Sequence, residues 1–205
     1  MSVLGTLVDI LFPPRESELL VRNMRAQDLE SFSNPVEVVF ENLVVTALLL
    51  YQQDLVRACV TETKFHANKK ATKALADVLQ RYLLKDGGTS AVILPIPLAK
   101  SRLRERGYNQ LEEVLRQVDA HVLSCHMIQT SLLLRTRDTQ AQTSLSKEAR
   151  LLNMIGAFSV QNPHDPNVHY IILDDVITTG ATMRSAHEAL IASGAKKVTC
   201  LALAH

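Results

Sequence analysis

Residues 170–182 read YIILDDVITTGAT, and each part of that string has its own physical job. Tyr170 to Leu173 is a short apolar run of the kind that forms a buried, parallel strand. Asp174 and Asp175 follow where the strand ends, so their carboxylates leave the sheet at its C-terminal edge. Thr178, Thr179, Gly180, Ala181 and Thr182 are small, and they open an amphipathic stretch with Met183, Ala186 and Leu190 on one face. A tight turn entering a helix N-terminus presents free backbone N–H groups, which favours a phosphate. Carboxylates beside a phosphate cradle fit one ligand with both cis-hydroxyls and a phosphate, a ribose 5-phosphate. The plain alternative is a strand, turn and helix in which Asp and Thr merely cap. It leaves most of the string unexplained. Neither GxxxxGK[ST] nor a GxGxxG after a strand is present.

Two further blocks carry the charges such a ligand needs. Residues 92–110, VILPIPLAKSRLRERGYNQ, end a strand at two prolines and continue into Lys100, Arg102, Arg104 and Arg106. Ligands of open α/β sheets sit at the C-terminal edges of strands, so these cations can face the same crevice as the aspartates. A pyrophosphate needs several fixed positive charges, and arginine is the better fork. Taken alone, the segment also reads as a solvated basic face starting a helix. Residues 135–158, RTRDTQAQTSLSKEARLLNMIGAF, begin with almost no apolar side chain. That polar stretch reads either as a surface loop with a short helix or as a mobile lid over anions, carrying Arg135, Arg137, Lys147 and Arg150.

The elements that must position these blocks alternate. Leu43 to Leu50, Ala91 to Leu94, Leu132 to Leu134, Ala157 to Val160, Tyr170 to Leu173 and Lys197 to Leu203 read as strands. Asp54 to Thr63, Lys70 to Leu84 and Asn109 to Leu123 read as helices, and Asp86-Gly87-Gly88 as a turn. Gly194 fits the position that closes the last helix. Residues 15–34 are polar without a clear period, and an apolar helix candidate ahead of them ends at Pro13-Pro14. Strands alternating with helices give an α/β fold with a parallel sheet.

Composition bounds the function class. The 205 residues are 47% apolar and 21% charged with a net charge of +1, which is an ordinary globular chain and not a generally basic nucleic-acid binder. The N-terminal SVLGTLVDILFPP lacks a basic lead and makes a poor signal peptide. The longest apolar run, Leu43 to Leu50, is too short to span a bilayer. Cys59, Cys125 and Cys200 are scattered and without CxxC spacing, as suits a reducing compartment. A cytoplasmic protein that makes no use of a membrane is expected.

Together the blocks resemble the ComF/GntX family of ComFC-like competence proteins, which have a type I phosphoribosyltransferase fold. The likeness covers about residues 50–205. It rests on YQQDLVRACVTETKF, on LPIPLAKSRLRERGYNQ, on the series from Arg135 to Phe158, and on the aspartate–threonine string, the signature for phosphoribosyl pyrophosphate (PRPP). The resemblance implies a mainly parallel five-stranded sheet flanked by helices, with a hood or flexible loop above it. It implies a domain over residues 51–205 and a degenerate N-terminal segment over 1–50. Asp174 and Asp175 would meet the ribose hydroxyls as catalytic residues, and Thr178 to Thr182 the 5-phosphate. Pro97, Leu98, Ala99, Lys100 and Arg106 would meet pyrophosphate, with Arg135, Arg137, Gln142 and Arg150 in the flexible loop. Mg²⁺ would be carried by PRPP's own oxygens, with no metal site of the protein's own.

Two departures refine that expectation. Family members begin with a Cys-rich zinc ribbon after a Pro-Pro-Arg-like stretch, whereas here Glu16 and Leu19 stand where a CxxC pair would fall. Residues 1–50 hold no Cys or His, so no zinc is expected. The chain also reads Met1-Ser2 where an N-terminal cysteine nucleophile would stand, so no glutamine-hydrolysing domain is expected. A transferase here would use ammonia, another amine or a base delivered from outside. Alternatively, the resemblance implies an accessory of DNA uptake or natural transformation, binding single-stranded DNA or a helicase partner. A PRPP-sensing regulator ranks below both, since no helix-turn-helix pattern accompanies the core.

Overall fold

The computed structural model describes residues 13–25, 27–85, 90–136, 156–161 and 165–205. Its strands are β1 (Val36–Phe40), β2 (Leu43–Leu49), β3 (Ala91–Pro95), β4 (His126–Ile128), β5 (Leu133–Arg135), β6 (Phe158–Val160), β7 (His169–Val176) and β8 (Lys197–Ala204). The main sheet runs β1-β2-β8-β7-β3-β4. From β2 to β4 every pairing is parallel, which gives the five parallel strands expected. The sixth, β1, adds to β2 antiparallel through a two-residue turn.

The described helices are α1 (Glu16–Asn23), α2 (Asp28–Ser31), α3 (Asp54–His66), α4 (Lys69–Lys85), α5 (Lys100–Arg106), α6 (Gln110–Arg116), α7 (Ala120–Leu123) and α8 (Ala181–Ala192). Central β7 is buried almost without interruption from His169 to Leu173, the pattern of a strand covered on both faces. Flanking it, Ile93, Leu94, Leu201 and Leu203 are also buried. Burying side chains of this size contributes about 1.5–3 kcal/mol each. That rigid centre fixes where β3 and β7 end, and the site begins there.

Several elements differ from the sequence reading. Residues 15–34 contain α1 and α2 where no period was legible. β1 and β4 are strands that the reading did not identify. The division expected at residue 50 passes just after β2, and β2 is hydrogen-bonded to β8 on the other side of it. The single helix expected over Asn109 to Leu123 is two helices, because the N–H groups of Gln117 and Val118 turn to the i−3 carbonyls. Asp119 is then extended. The Gln80 side chain holds it there, donating to Asp119 Oδ2 and accepting the Asp119 N–H, both at 2.9 Å. The expected strands near 132 and 157 exist as β5 and β6, which pair with each other in a separate two-stranded sheet. The N-terminal helix candidate and the turn at Asp86 lie outside the described residues.

One polar clamp seats α1. Glu62 of α3 has no exposed surface. It accepts from Arg15 Nε and Nη2 at 3.2 Å each, from Ser17 Oγ at 2.8 Å and from Asn68 Nδ2 at 3.3 Å. Burial alone would raise the Glu62 carboxyl, but the bonds from Arg15, Ser17 and Asn68 outweigh it and hold its pKa below the ordinary value. Among the described residues no helix is long and apolar enough to cross a membrane.

Candidate functional site

β7 ends in two carboxylates with different surroundings. Asp175 is buried, with Lys64 Nζ of α3 2.9 Å from Oδ2 and Gln110 Nε2 of α6 donating to the same oxygen at 2.5 Å. Asp174 is partly exposed and accepts the Asp175 N–H at 2.8 Å. Burial, and then the neighbouring Asp175 carboxylate, push the Asp174 carboxyl up to about 7, against the pull of its backbone bond, Lys64 and Arg135. A carboxyl poised there can accept or donate a hydrogen bond near neutral pH.

The strand's next residue keeps the loop at the sheet edge: Ile177 N–H bonds Ala204 O at 3.0 Å. Thr178 is exposed, Thr179 and Thr182 are partly buried, and Gly180 and Ala181 are buried. Gly180 caps α8 with φ +71°, a backbone conformation that favours glycine. The ring of Phe40 lies against it, 2.7 Å from where a Cβ would be. The Arg184 N–H opens the helix ladder by bonding Gly180 O at 2.8 Å. The first-turn amides of α8 have no intrahelical acceptor, as at any helix N-terminus.

β3 ends beside this edge. Ile96 N–H bonds Leu173 O at 2.9 Å, so the turn from Pro97 to Ala99 starts one strand away from the aspartates. Asn109 fixes the turn: its Nδ2 donates to Ile96 O at 3.1 Å while its Oδ1 caps α6 through Leu111 N–H at 3.0 Å. Between them α5 buries none of its residues, with Lys100 and Arg104 exposed. Arg106 turns inward. It donates to Gln110 Oε1 at 2.9 Å and lies 4.7 Å from the centroid of the Phe65 ring. Burial lowers its pKa, with Asp175 pulling the other way.

The structure therefore brings Asp174, Asp175, Arg106 and Thr178 to Thr182 to adjacent strand ends, with Pro97 to Lys100 next to them. Arg135 stands on β5, 5.6 Å over the Phe158 ring, close enough to act on Asp174. Because Arg135 pairs with Phe158, both ends of the polar block between them are tied together. Arg137, Gln142 and Arg150 lie outside the described residues. Lys64 and Gln110 were not among the expected site residues, although both lie in the segments that carried the resemblance. The one local signal for Lys64 was a lysine following a largely buried helix run from Val56 to Thr63.

No family model matches the chain. It is 33% identical over 144 residues to a protein named DNA utilization protein YhgH from Salmonella typhi, covering 68% of this chain and 62% of that one. It is 31% identical over 114 residues to competence protein F from Haemophilus influenzae, covering 55% and 49%. With competence protein ComFC from Bacillus subtilis it shares 33% over 106 residues, covering 50% and 39%. The matches thus span less than two thirds of the length of these curated relatives. Among solved structures, a hypoxanthine phosphoribosyltransferase from Staphylococcus aureus overlaps with 14% identity and a TM-score of 0.40, over 66% of this chain and 63% of that one. So loose an overlap carries no weight of its own.

Proposed function

We propose that this chain, a relative of the ComFC-like competence proteins, binds PRPP and displaces its pyrophosphate with an amine or base acceptor. The observation that supports this best is the adjacency of an aspartate pair at the end of β7 to the α8 N-terminus. It offers carboxylates for ribose hydroxyls and backbone donors for a 5-phosphate within one turn of chain. The Pro97 to Lys100 turn with Arg106 would take the diphosphate, and the block bearing Arg135 would cover it. Mg²⁺ would accompany the diphosphate on phosphate and water oxygens.

In the proposed reaction an acceptor nitrogen forms a bond to the anomeric carbon. The bond from that carbon to the diphosphate oxygen breaks, and pyrophosphate leaves with the electron pair. The acceptor gives up its proton to solvent or a base. The chain's own part is to hold the sugar in place and to neutralise the departing anion. Calorimetry with PRPP and Mg²⁺ tests the reading, followed by pyrophosphate release with candidate amines and bases. Binding lost in Asp174→Asn is expected; a wild-type protein that ignores millimolar PRPP would overturn it.

A second reading is favoured by the names of the relatives and by the exposed Lys100 and Arg104 on α5. In it the chain is a cytoplasmic accessory of DNA uptake that binds single-stranded DNA or a helicase partner along this helix. Salt-sensitive binding of single strands that survives Asp174→Asn would support it, and no binding at low salt would remove it.

A further inference from the structure

Asp174 and Asp175 are neighbours in sequence but face different parts of the protein, because successive side chains of a strand leave opposite faces of the sheet. Both oxygens of Asp175 are already taken. Oδ2 has Lys64 and Gln110, and Oδ1 accepts the Val176 N–H at 2.6 Å. The orientation of Gln110 is fixed as well, since its carbonyl oxygen faces the Arg106 donor and only its NH₂ is left to face Asp175. Asp174 accepts one backbone bond and keeps part of its surface in solvent.

Building on the ribose-binding reading above, we propose that Lys64 is a positioning residue for this pair. With Gln110 it holds the Asp175 side chain turned into the protein, which leaves Asp174 as the carboxyl that meets the sugar. Among the described residues, the charged groups that act on the two aspartates are Lys64 from α3, Arg106 from α5 and Arg135 from β5. Of these, Lys64 is in direct ion-pair contact with Asp175. Two adjacent carboxylates resist double ionisation, so a cation bound to one of them decides where the first negative charge settles. The other carboxyl then titrates close to neutrality and supplies a proton or an acceptor as the ligand requires. Arg106, on the diphosphate side, reaches the same carboxylate through Gln110. Loading the diphosphate subsite would therefore be felt at the aspartates.

The test needs no ligand at first. Carbon-detected NMR of the side-chain carboxyls follows the pair through pH in the wild type, Lys64→Met and Lys64→Arg. The upper midpoint belongs to the pair as a unit. It should lie near neutrality in the wild type, rise by about one pH unit or more in Lys64→Met, and return in Lys64→Arg. Should Lys64→Met not fold, Gln110→Met removes the other side-chain partner of Asp175 and should give a smaller rise in the same direction. A folded Lys64→Met protein with an unchanged midpoint overturns the proposal.

A second arm measures PRPP affinity by calorimetry. Lys64→Met should weaken it by about tenfold and Lys64→Arg should largely restore it, as a charge-assisted contact of this kind implies. Were the wild type to bind no PRPP, the functional reading above would fall, while the titration would still decide the role of Lys64.

Discussion

Phe40 and Gly180, 140 positions apart in the chain, meet at the candidate phosphate loop, where the ring occupies the space that a side chain at 180 would need. The same aromatic ring meets His205 edge-on at 6.3 Å. Next to it Glu41 bonds Arg184 at 2.7 Å. The β1–β2 hairpin is thus part of the support of the loop. Gly180→Ala should cost about 1 kcal/mol for the left-handed backbone and further for the clash. The expected result is a lower melting temperature and weaker PRPP binding. Phe40→Ala in the same chain should recover the steric part and not the backbone part. A Gly180→Ala protein with wild-type stability and affinity would show that the contact does not constrain the loop.

The Glu62 clamp makes a prediction about pH. Its folded pKa lies below the ordinary value, so its stabilisation is present above the unfolded pKa and is lost as pH falls through the folded one. Glu62→Gln should destabilise the protein at neutral pH by about 1.5–3 kcal/mol, the range for hydrogen bonds to a charged group. The gap between the two melting curves should close as pH drops below about 4. A gap that is constant from neutral to acid pH would mean that the charge of Glu62 contributes nothing.

How far the chain could be read depended on how local each feature is. The aspartate–threonine string carries its strand, its carboxylates and its helix start within thirteen consecutive residues, so both the element and the ligand chemistry were legible. Gln110 was not, because its partner Asp175 is 65 positions away and nothing near Gln110 announces it. The break between α6 and α7 is of the same kind, since Gln80 imposes it from 39 positions upstream. β1 and β4 escaped for another reason. They sit at the two edges of the sheet, where even the inward-facing residues are only partly buried. The α1 segment looked patternless because much of what anchors it is polar: Arg15 and Ser17 reach a buried carboxylate that lies in another helix.

Asn109 separates two jobs that one residue performs. As an N-cap it accepts the Leu111 N–H, and as a donor it ties down Ile96 O at the start of the Pro97 turn. Asn109→Ala should lose both and cost about 0.5–2 kcal/mol for the cap alone, with the lost bond to Ile96 adding to it. Asn109→Ser should restore the cap alone. If the turn forms the diphosphate subsite, the serine variant should regain stability while its PRPP affinity stays low. Recovery of both together would show that the bond to Ile96 has no part in binding.

The two functional readings make opposite demands on α5. Arg104 is exposed and Arg106 is packed between Phe65 and Gln110. On the phosphoribosyl reading Arg106 is the critical cation, and lysine cannot replace its stacked, forked geometry. Arg106→Lys should then weaken PRPP binding by about tenfold, or about 1.4 kcal/mol, while Arg104→Gln leaves it unchanged. On the DNA reading Arg104 is one phosphate contact among several. Its loss should weaken single-strand binding evenly across sequences and lower the salt slope by about 0.7, the single-strand value for one phosphate. Fluorescence anisotropy on oligonucleotides over a salt series, beside calorimetry with PRPP, reads both. A salt slope that Arg104→Gln leaves intact would remove α5 as a DNA track, and an Arg106→Lys protein with undiminished PRPP affinity would remove it as the diphosphate clamp.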